Sequence, residues 1–192
     1  GWEMNFPVHG YNECLIMYIL AAASPTHSIP VAVYHEGWAE KGAIVDPHKV
    51  EDIELHLRYQ GCDAGPLFWA HYSFLGLDPT NLSDKYCPGY FNEMRNLTLI
   101  NRAYCIRNPK QWKGFGPDCW GLTASYSVNG YSAHAPNESA DHGVISPTAA
   151  LSSIVYTPEY SLEVMRYLYG MGDKVLGPYG FYDAFSETED WY

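Results

Sequence analysis

An uninterrupted apolar run at residues 14–23 constrains the fold more than any other feature of this chain. Its sequence is Cys-Leu-Ile-Met-Tyr-Ile-Leu-Ala-Ala-Ala, and it is followed by Ser24-Pro25. A helix that is apolar on every side is buried on every side, and the run is too short to cross a bilayer. It therefore predicts an inner helix of a larger helical assembly, which ends where the residue before proline avoids helical geometry.

A second segment, residues 52–60, alternates strictly between apolar and polar side chains. Ile53, Leu55, Leu57 and Tyr59 fall on one face, which is the period of a β-strand. The segment predicts one arm of a small hairpin packed on a helical body.

Further helices are predicted at residues 67–75, 90–106, 147–154 and 158–171. The last two are introduced by Ser146-Pro147 and Thr157-Pro158, the pattern of an N-cap residue followed by proline at the first helical position. Between them and the earlier helices, residues 113–146 are rich in Gly, Pro and Ser but retain aromatic residues. This segment predicts a long ordered loop, since loops of this length in compact domains are usually functional.

Composition limits the classes of partner. The chain has 192 residues, 47% of them apolar, and a formal net charge of −11. This length suits a single domain, residues 1–192. The acidic balance argues against nucleic acid or an anionic membrane, because both require clustered Lys and Arg. The 17 Tyr, 7 Phe and 6 Trp suit a core and a neutral sugar ligand, because pyranose C–H faces stack on aromatic rings.

The sequence motifs of several common catalytic and cofactor-binding sites are absent from this chain. The chain has no Gly-x-Ser-x-Gly, no phosphate-binding Gly-rich loop and no His-Glu-x-x-His, so neither a metal nor a cofactor is predicted. Its five cysteines are odd in number and contain no Cys-x-x-Cys pair, and no apolar stretch has the length of a membrane span.

Two carboxylates lie in unusual surroundings. Glu13 directly precedes the apolar run, where partial desolvation would favour its protonated form and suit it to donate a proton. Asp183 is flanked by aromatic and apolar residues in Gly-Phe-Tyr-Asp-Ala-Phe. Structural roles compete with both interpretations: Glu13 could complement a helix dipole, and Asp183 could cap a short last helix. Glu36 and Asp78 are weaker candidates, Asp78 because it precedes proline in a turn-like sequence.

Paired carboxylates are the requirement of glycoside hydrolysis. In inverting enzymes an acid and a base stand roughly 6.5–9.5 Å apart, which admits a water molecule. Glu13 and Asp183 lie near opposite ends of the chain, so they can form such a pair only if the fold brings both to one face.

Long strings of the chain resemble the bacterial β-1,2-glucanase family, whose members are also described as glucoamylase-like. The first string contains Phe6-Pro-Val-His-Gly-Tyr-Asn-Glu13, and the last is Gly180-Phe-Tyr-Asp-Ala-Phe185. The full set of similar strings lies at residues 6–27, 65–79, 101–105, 119–125, 147–153 and 180–185.

The resemblance implies a mainly α fold, in which this chain forms about half of an (α/α)6 barrel with a small β-hairpin and long ordered loops. Family members are about twice this length, so we expect the C-terminal half, with the N-terminal half of the same barrel missing from this chain. The start at Gly1-Trp2 rather than Met fits that expectation. The resemblance further implies inverting cleavage of β-1,2-glucan, either endo or exo with release of sophorose, in the periplasm or outside the cell.

Residue roles also follow from the resemblance. Glu13 matches the family's general acid, and Asp183 lies in the motif expected to hold the base, unless an acid of the N-terminal half serves instead. The residues implied to line sugar subsites are Tyr11, Trp38, His71, Asn101, Arg102, Trp120 and Tyr182. Structural alternatives remain: Asn101 and Arg102 could cap or pair within a helix, and Trp38 and Trp120 could belong to the core. The segment 40–60 departs from the family pattern, which could reshape a subsite.

Three rival interpretations remain open from the sequence. Other (α/α)6 enzymes are lyases, phosphorylases or hydrolases of different glycans, and the fold alone does not separate them. A non-catalytic glycan-binding protein would keep the aromatic cleft. This chain alone could also be folded but inactive, with an exposed apolar seam that makes it associate.

Overall fold

The structure is a computed structural model that describes residues 7–192. Phe6, which opens the first family-like string, lies outside the described residues. Over these residues the chain is mainly helical, with three two-stranded antiparallel hairpins. In chain order the elements are α1 Leu15–Ala22, α2 Val31–Val33, β1 Val45–Val50, β2 Ile53–Leu57, α3 Phe68–His71, α4 Tyr90–Arg107, β3 Ala124–Ser127, β4 Gly130–Ala133, α5 Pro147–Ser152, α6 Pro158–Met171, β5 Leu176–Gly177 and β6 Gly180–Phe181.

Helix α1 forms where the apolar run predicts it, but it is not buried on every side. Leu15 and Tyr18 are buried, whereas Met17 and Leu20 are exposed. The prediction of all-round burial is wrong for this chain, because no element among residues 7–192 covers that face. The neighbouring segment 67–75 behaves similarly: it is a short α3 continued by a 3-10 turn, and its Leu75 is exposed.

The hairpin β1–β2 confirms the strand predicted from alternation. Its turn residues Glu51 and Asp52 both have positive φ, the geometry of the two-residue turns that match strand twist. Leu55 and Leu57 are buried with Tyr59 beyond them, and β2 packs against α4.

Helix α4 confirms the long predicted helix and connects the two parts of the core. Met94, Leu97 and Ile100 are fully buried in a cluster with α1 and the β1–β2 hairpin. One turn further on, Tyr104 and Cys105 belong to a second cluster around α5, α6 and the C-terminal segment. A single helix therefore supports both clusters.

Helices α5 and α6 begin at Pro147 and Pro158, as the Ser-Pro and Thr-Pro pairs predict. Neither preceding hydroxyl caps its helix, however. Ser146 Oγ donates instead to the main-chain oxygen of Asp183, at 2.7 Å, and Thr157 Oγ1 donates to Ser153 O. Ser146, which occupies the N-cap position of α5, thus ties the C-terminal segment to the start of that helix.

The segment 113–146 is ordered as predicted, but it contains the hairpin β3–β4, which was not predicted from the sequence. The C-terminal hairpin β5–β6 was also missed, so three hairpins stand where one was expected. All five cysteines are free thiols. Over residues 7–192, no helix is both long and apolar enough to cross a membrane.

Candidate active site

Glu13 and Asp183 line one cleft of about 530 Å³, although they lie near opposite ends of the sequence. The floor and walls come from α3, the start of α5 and the hairpin β3–β4, which contribute His71, Ser146 and Tyr131. The fold therefore meets the condition that a carboxylate pair requires, namely that both acids face one open space.

Glu13 is placed by the turn that precedes α1. The side chain of Asn12 accepts a hydrogen bond from Cys14 N at 2.8 Å, and Ser73 Oγ donates to the main-chain oxygen of Glu13 at 2.9 Å. These bonds fix the peptide on both sides of the acid. Glu13 precedes the helical residues, and within residues 7–192 its carboxylate accepts no hydrogen bond.

Asp183 is held by two hydrogen bonds of its own and by main-chain pairing of the segment that follows it. Phe185 pairs with Ile145 through two main-chain hydrogen bonds of 2.9 Å, and Ser146 Oγ holds the Asp183 carbonyl. The N–H of Tyr126, on β3, donates to Asp183 Oδ2 at 2.9 Å. No helix follows Asp183 in the described chain, so the alternative role as a helix cap does not apply.

His71 lies in the same cleft and is neutral near pH 7, because burial lowers the pKa of His71 to about 4. The His71 ring lies between two serine hydroxyls, with Nε2 3.0 Å from Ser153 Oγ and Nδ1 3.2 Å from Ser152 Oγ. The ring stacks on Tyr156 with centroids 6.3 Å apart. His71 is therefore a fixed, uncharged wall of the cleft.

The depressed pKa of His71 predicts a loss of stability on acidification. Between pH 6.5 and about 4 the unfolded chain binds a proton on this ring and the folded chain does not, so stability falls as the pH falls through that window. A shift of this size corresponds to about 3 kcal/mol. In denaturant unfolding, the wild type should lose more stability than His71→Gln between pH 7 and pH 4.5. Equal slopes in the two proteins would contradict the assignment.

Four of the seven predicted sugar-lining residues are fully buried: Tyr11, Trp38, Asn101 and Trp120. The Tyr11 hydroxyl donates to Met94 Sδ at 3.0 Å. Asn101 exchanges two hydrogen bonds with the Leu122 peptide, of 3.0 and 2.9 Å. The expectation that these four contact sugar does not agree with their burial, and the structural alternatives apply to them.

The other predicted residues divide between the cleft and the surface. His71 lines the cleft, whereas Arg102 lies over the Tyr160 ring, 3.9 Å from its centroid, between α4 and α6. Tyr182 is half-exposed beside Asp183 and packs against Gly177 rather than lining the cleft. Residues 40–60 also lie outside the cleft lining, so their departure from the family pattern does not reshape it directly.

The weaker acidic candidates have no place in the cleft. Asp78 Oδ1 accepts hydrogen bonds from Thr80 N and Thr80 Oγ1, at 2.9 and 2.6 Å, so Asp78 is the turn residue that its sequence favours. Glu36 is exposed in a π-helical turn after α2. Sequence reasoning instead missed Ser146 and Tyr131, which line the cleft.

Fold and site together define a mainly α-helical domain with a cleft that carries a carboxylate from each end of the chain. Residues 5–192 match the family model described as "Putative glucoamylase". The chain belongs to this family.

Relatives with stated activities cover all of this chain. It is 38% identical, over 207 residues, to the exo beta-1,2-glucooligosaccharide sophorohydrolase (non-reducing end) of Parabacteroides distasonis, of which 29% is covered. The structure of endo-beta-1,2-glucanase from Chitinophaga pinensis, in complex with sophorotriose and glucose, superposes with a TM-score of 0.97 at 63% identity. The structure of a "putative glucoamylase" from Bacteroides caccae superposes with a TM-score of 0.98 at 81% identity.

Both of these solved structures are covered over 46% of their chains. The chain therefore spans less than half the length of the relatives that it matches.

Proposed function

We propose that the protein containing this chain is a glycoside hydrolase that cleaves β-1,2-glucan, with Glu13 as general acid and Asp183 as general base. The observation that carries the proposal is that the fold brings these two carboxylates into one cleft. Support comes from the family and from two relatives that are named for activity on β-1,2-linked glucose.

The proposed reaction inverts the anomeric centre. The protonated carboxyl of Glu13 gives its proton to the glycosidic oxygen as the C–O bond breaks, and Asp183 takes a proton from the water that attacks the opposite face. Asp183 suits the second role because Tyr126 N–H holds one carboxylate oxygen and leaves the other available to water. Glu13 suits the first because neighbouring side chains of the described chain leave its carboxylate free for the substrate.

Endo action is the favoured mode. The endo-acting relative from Chitinophaga pinensis shares 63% of residues with this chain, and the exo-acting one from Parabacteroides distasonis shares 38%. We therefore expect longer oligosaccharides among the first products, and sophorose as the dominant first product would indicate exo action instead.

Product analysis of the full-length protein on linear β-1,2-glucan tests the proposal. We expect β-1,2-linked oligosaccharides from this glucan and no release from starch. NMR of the freshly released reducing end should show the α anomer if the reaction inverts. A requirement for phosphate or an unsaturated product would indicate a phosphorylase or a lyase. Binding without turnover would indicate a glycan-binding protein.

The described residues leave a continuous apolar surface uncovered along α1. Met17, Leu20, Val31 and Leu75 are exposed, and an apolar groove of about 560 Å³ runs along α1 beside Leu82. We propose that the upstream half of the protein covers this surface and completes a helical barrel, which agrees with the 46% coverage of the two solved structures.

The exposed apolar surface predicts that the 192-residue chain alone associates with itself, since contiguous apolar patches drive association. Static light scattering should give a mass above that of one chain, and co-expression with the upstream half should restore a single 1:1 species. A clean monomer of the isolated chain would contradict this prediction.

The proposed location is the periplasm or the outside of the cell, on the strength of the family resemblance. Fractionation of the native organism with an antibody to the protein tests this, and recovery in the cytoplasmic fraction would overturn it.

A further inference from the structure

The hairpin β3–β4 reverses the usual arrangement of polar and apolar side chains. Half-solvated antiparallel strands normally place apolar residues inward and polar residues outward. Here Ser125 and Ser127 face inward and are buried, whereas Tyr126 and Tyr131 face outward, 58% and 64% exposed. Two large aromatic rings on the solvent side contribute little to the core, so this arrangement needs another explanation.

The two tyrosines form one unit. They are directly opposite each other across the hairpin, and their rings meet edge to face with centroids 5.4 Å apart and planes at 68°. Such a T-shaped pair is a favourable aromatic geometry. Each ring therefore limits the movement of the other, although both are open to solvent.

This aromatic pair is attached to the proposed catalytic base. Tyr131 lines the cleft that contains Glu13 and Asp183, and the main-chain N–H of Tyr126 donates to Asp183 Oδ2 at 2.9 Å. A sugar ring placed on Tyr131 would thus lie on the same hairpin that orients Asp183.

The geometry points to Tyr131 as a sugar-stacking residue of the cleft, with Tyr126 as the positioning residue that supports its ring and orients Asp183. The ligand is a pyranose unit of the glucan, whose C–H face packs on the exposed phenol ring while the hydroxyl groups of Tyr131 and the sugar can exchange a hydrogen bond. This inference rests on the proposed function and adds a binding element to the same site.

Variants of the full-length protein test the inference. Tyr131→Ala should raise KM on β-1,2-glucooligosaccharides about 10-fold, the equivalent of ~1.4 kcal/mol, and change kcat less. Tyr131→Phe keeps the ring and should stay within about 3-fold of the wild-type KM. Tyr126→Ala keeps the N–H that holds Asp183 but removes the ring that supports Tyr131, so it should raise KM by a few-fold with a smaller change in kcat. Tyr179→Ala is the matched control, because Tyr179 is fully exposed on the β5–β6 turn.

A binding measurement gives a readout that does not depend on turnover. Calorimetric titration of a β-1,2-glucooligosaccharide into Glu13→Gln, with and without Tyr131→Ala, should show the same roughly 10-fold loss of affinity. A lower melting temperature for Tyr131→Ala with unchanged KM and affinity would mean that the ring packs on the upstream half, and would overturn the inference. Failure of the wild type to bind or cut the glucan would instead refute the proposed function.

Discussion

Glu13→Gln and Asp183→Asn are each expected to lower kcat of the full-length protein on β-1,2-glucan by roughly 10²–10⁴, the range for loss of a positioned acid or base. Both substitutions keep the size of the side chain and remove only its ability to exchange a proton. KM should change little, because neither substitution alters the walls of the cleft. Initial rates of reducing-sugar release measure both effects.

The leaving group separates the two roles. A nitrophenyl β-sophoroside releases a phenol that needs little protonation, so Glu13→Gln should lose much less activity on it than on the glucan. Asp183→Asn should lose activity on both substrates, because the attacking water still requires a base. Asp173→Asn serves as the control, since Asp173 is exposed after α6 and lies outside the cleft.

Two outcomes would change the assignment. If Asp183→Asn keeps near-normal activity while Glu13→Gln does not, the base is an acid of the upstream half and Asp183 is structural. If Glu13→Gln loses equal activity on both substrates, Glu13 is not the proton donor.

Local patterns in the sequence were sufficient to predict most of the helices. The apolar spacing in α4 and the Ser-Pro and Thr-Pro pairs before α5 and α6 predict these elements well, because their signals depend only on neighbouring residues. The hairpin β3–β4 was missed because Ser125, Tyr126 and Ser127 place the large residues on the solvent face, which is the opposite of the pattern that identifies a strand.

Burial was harder to predict than helix or strand. From the sequence, Trp38 and Trp120 could have belonged either to a binding surface or to the core. In the folded chain each packs in a buried cluster with residues that are distant in sequence, so both belong to the core. Asn101 illustrates the same limit. Only the folded structure shows that the Leu122 peptide forms hydrogen bonds with both the nitrogen and the oxygen of the Asn101 side-chain amide. Conversely, the apolar run at α1 predicts complete burial, but Met17 and Leu20 are exposed within residues 7–192.

The carboxylate pair could be predicted from the sequence only in part. The sequence identifies Glu13 and Asp183 by their unusual neighbours, but their convergence depends on two contacts over long sequence separations. One is the pairing of Ile145 with Phe185, and the other is the bond from Ser73 to the Glu13 carbonyl. No pattern of neighbouring residues predicts either contact. From the sequence, a shared cleft could therefore be given only as a condition for the two carboxylates to act as a pair.

Glu93→Ala is expected to destabilise the folded chain by about 3 kcal/mol, because it removes a buried carboxylate that several donors share. The Glu93 side chain is buried on α4 and accepts hydrogen bonds of 3.0 Å from His56 N, Leu57 N and Tyr59 Oη. Its removal leaves three donors without an acceptor. The loss stays moderate because a cavity of about 430 Å³ adjoins Glu93 and admits water to some of them.

Matched variants of the full-length protein isolate this effect in denaturant unfolding. Glu54→Ala removes a carboxylate from the exposed side of β2 and should change stability by less than about 0.5 kcal/mol. Glu93→Gln keeps one acceptor oxygen, so its stability at pH 7 should lie between those of Glu93→Ala and Glu54→Ala. If Glu93→Ala is no less stable than Glu54→Ala, packing of Leu55 and Leu57 holds the hairpin and the carboxylate is dispensable.

The pH dependence of the same variants tests the charge of Glu93. Burial raises the pKa of Glu93 above its ordinary value of 4.5, and the hydrogen bonds from Leu57, His56 and Tyr59 offset this only in part. The folded chain therefore holds a proton on Glu93 that the unfolded chain has already released, and stability falls as the pH rises from 4.5 through the raised pKa. Glu93→Gln cannot titrate, so its disadvantage relative to the wild type should shrink as the pH rises through that window. A constant difference from pH 4 to pH 8 would show that Glu93 has the same affinity for protons in the folded and unfolded chain.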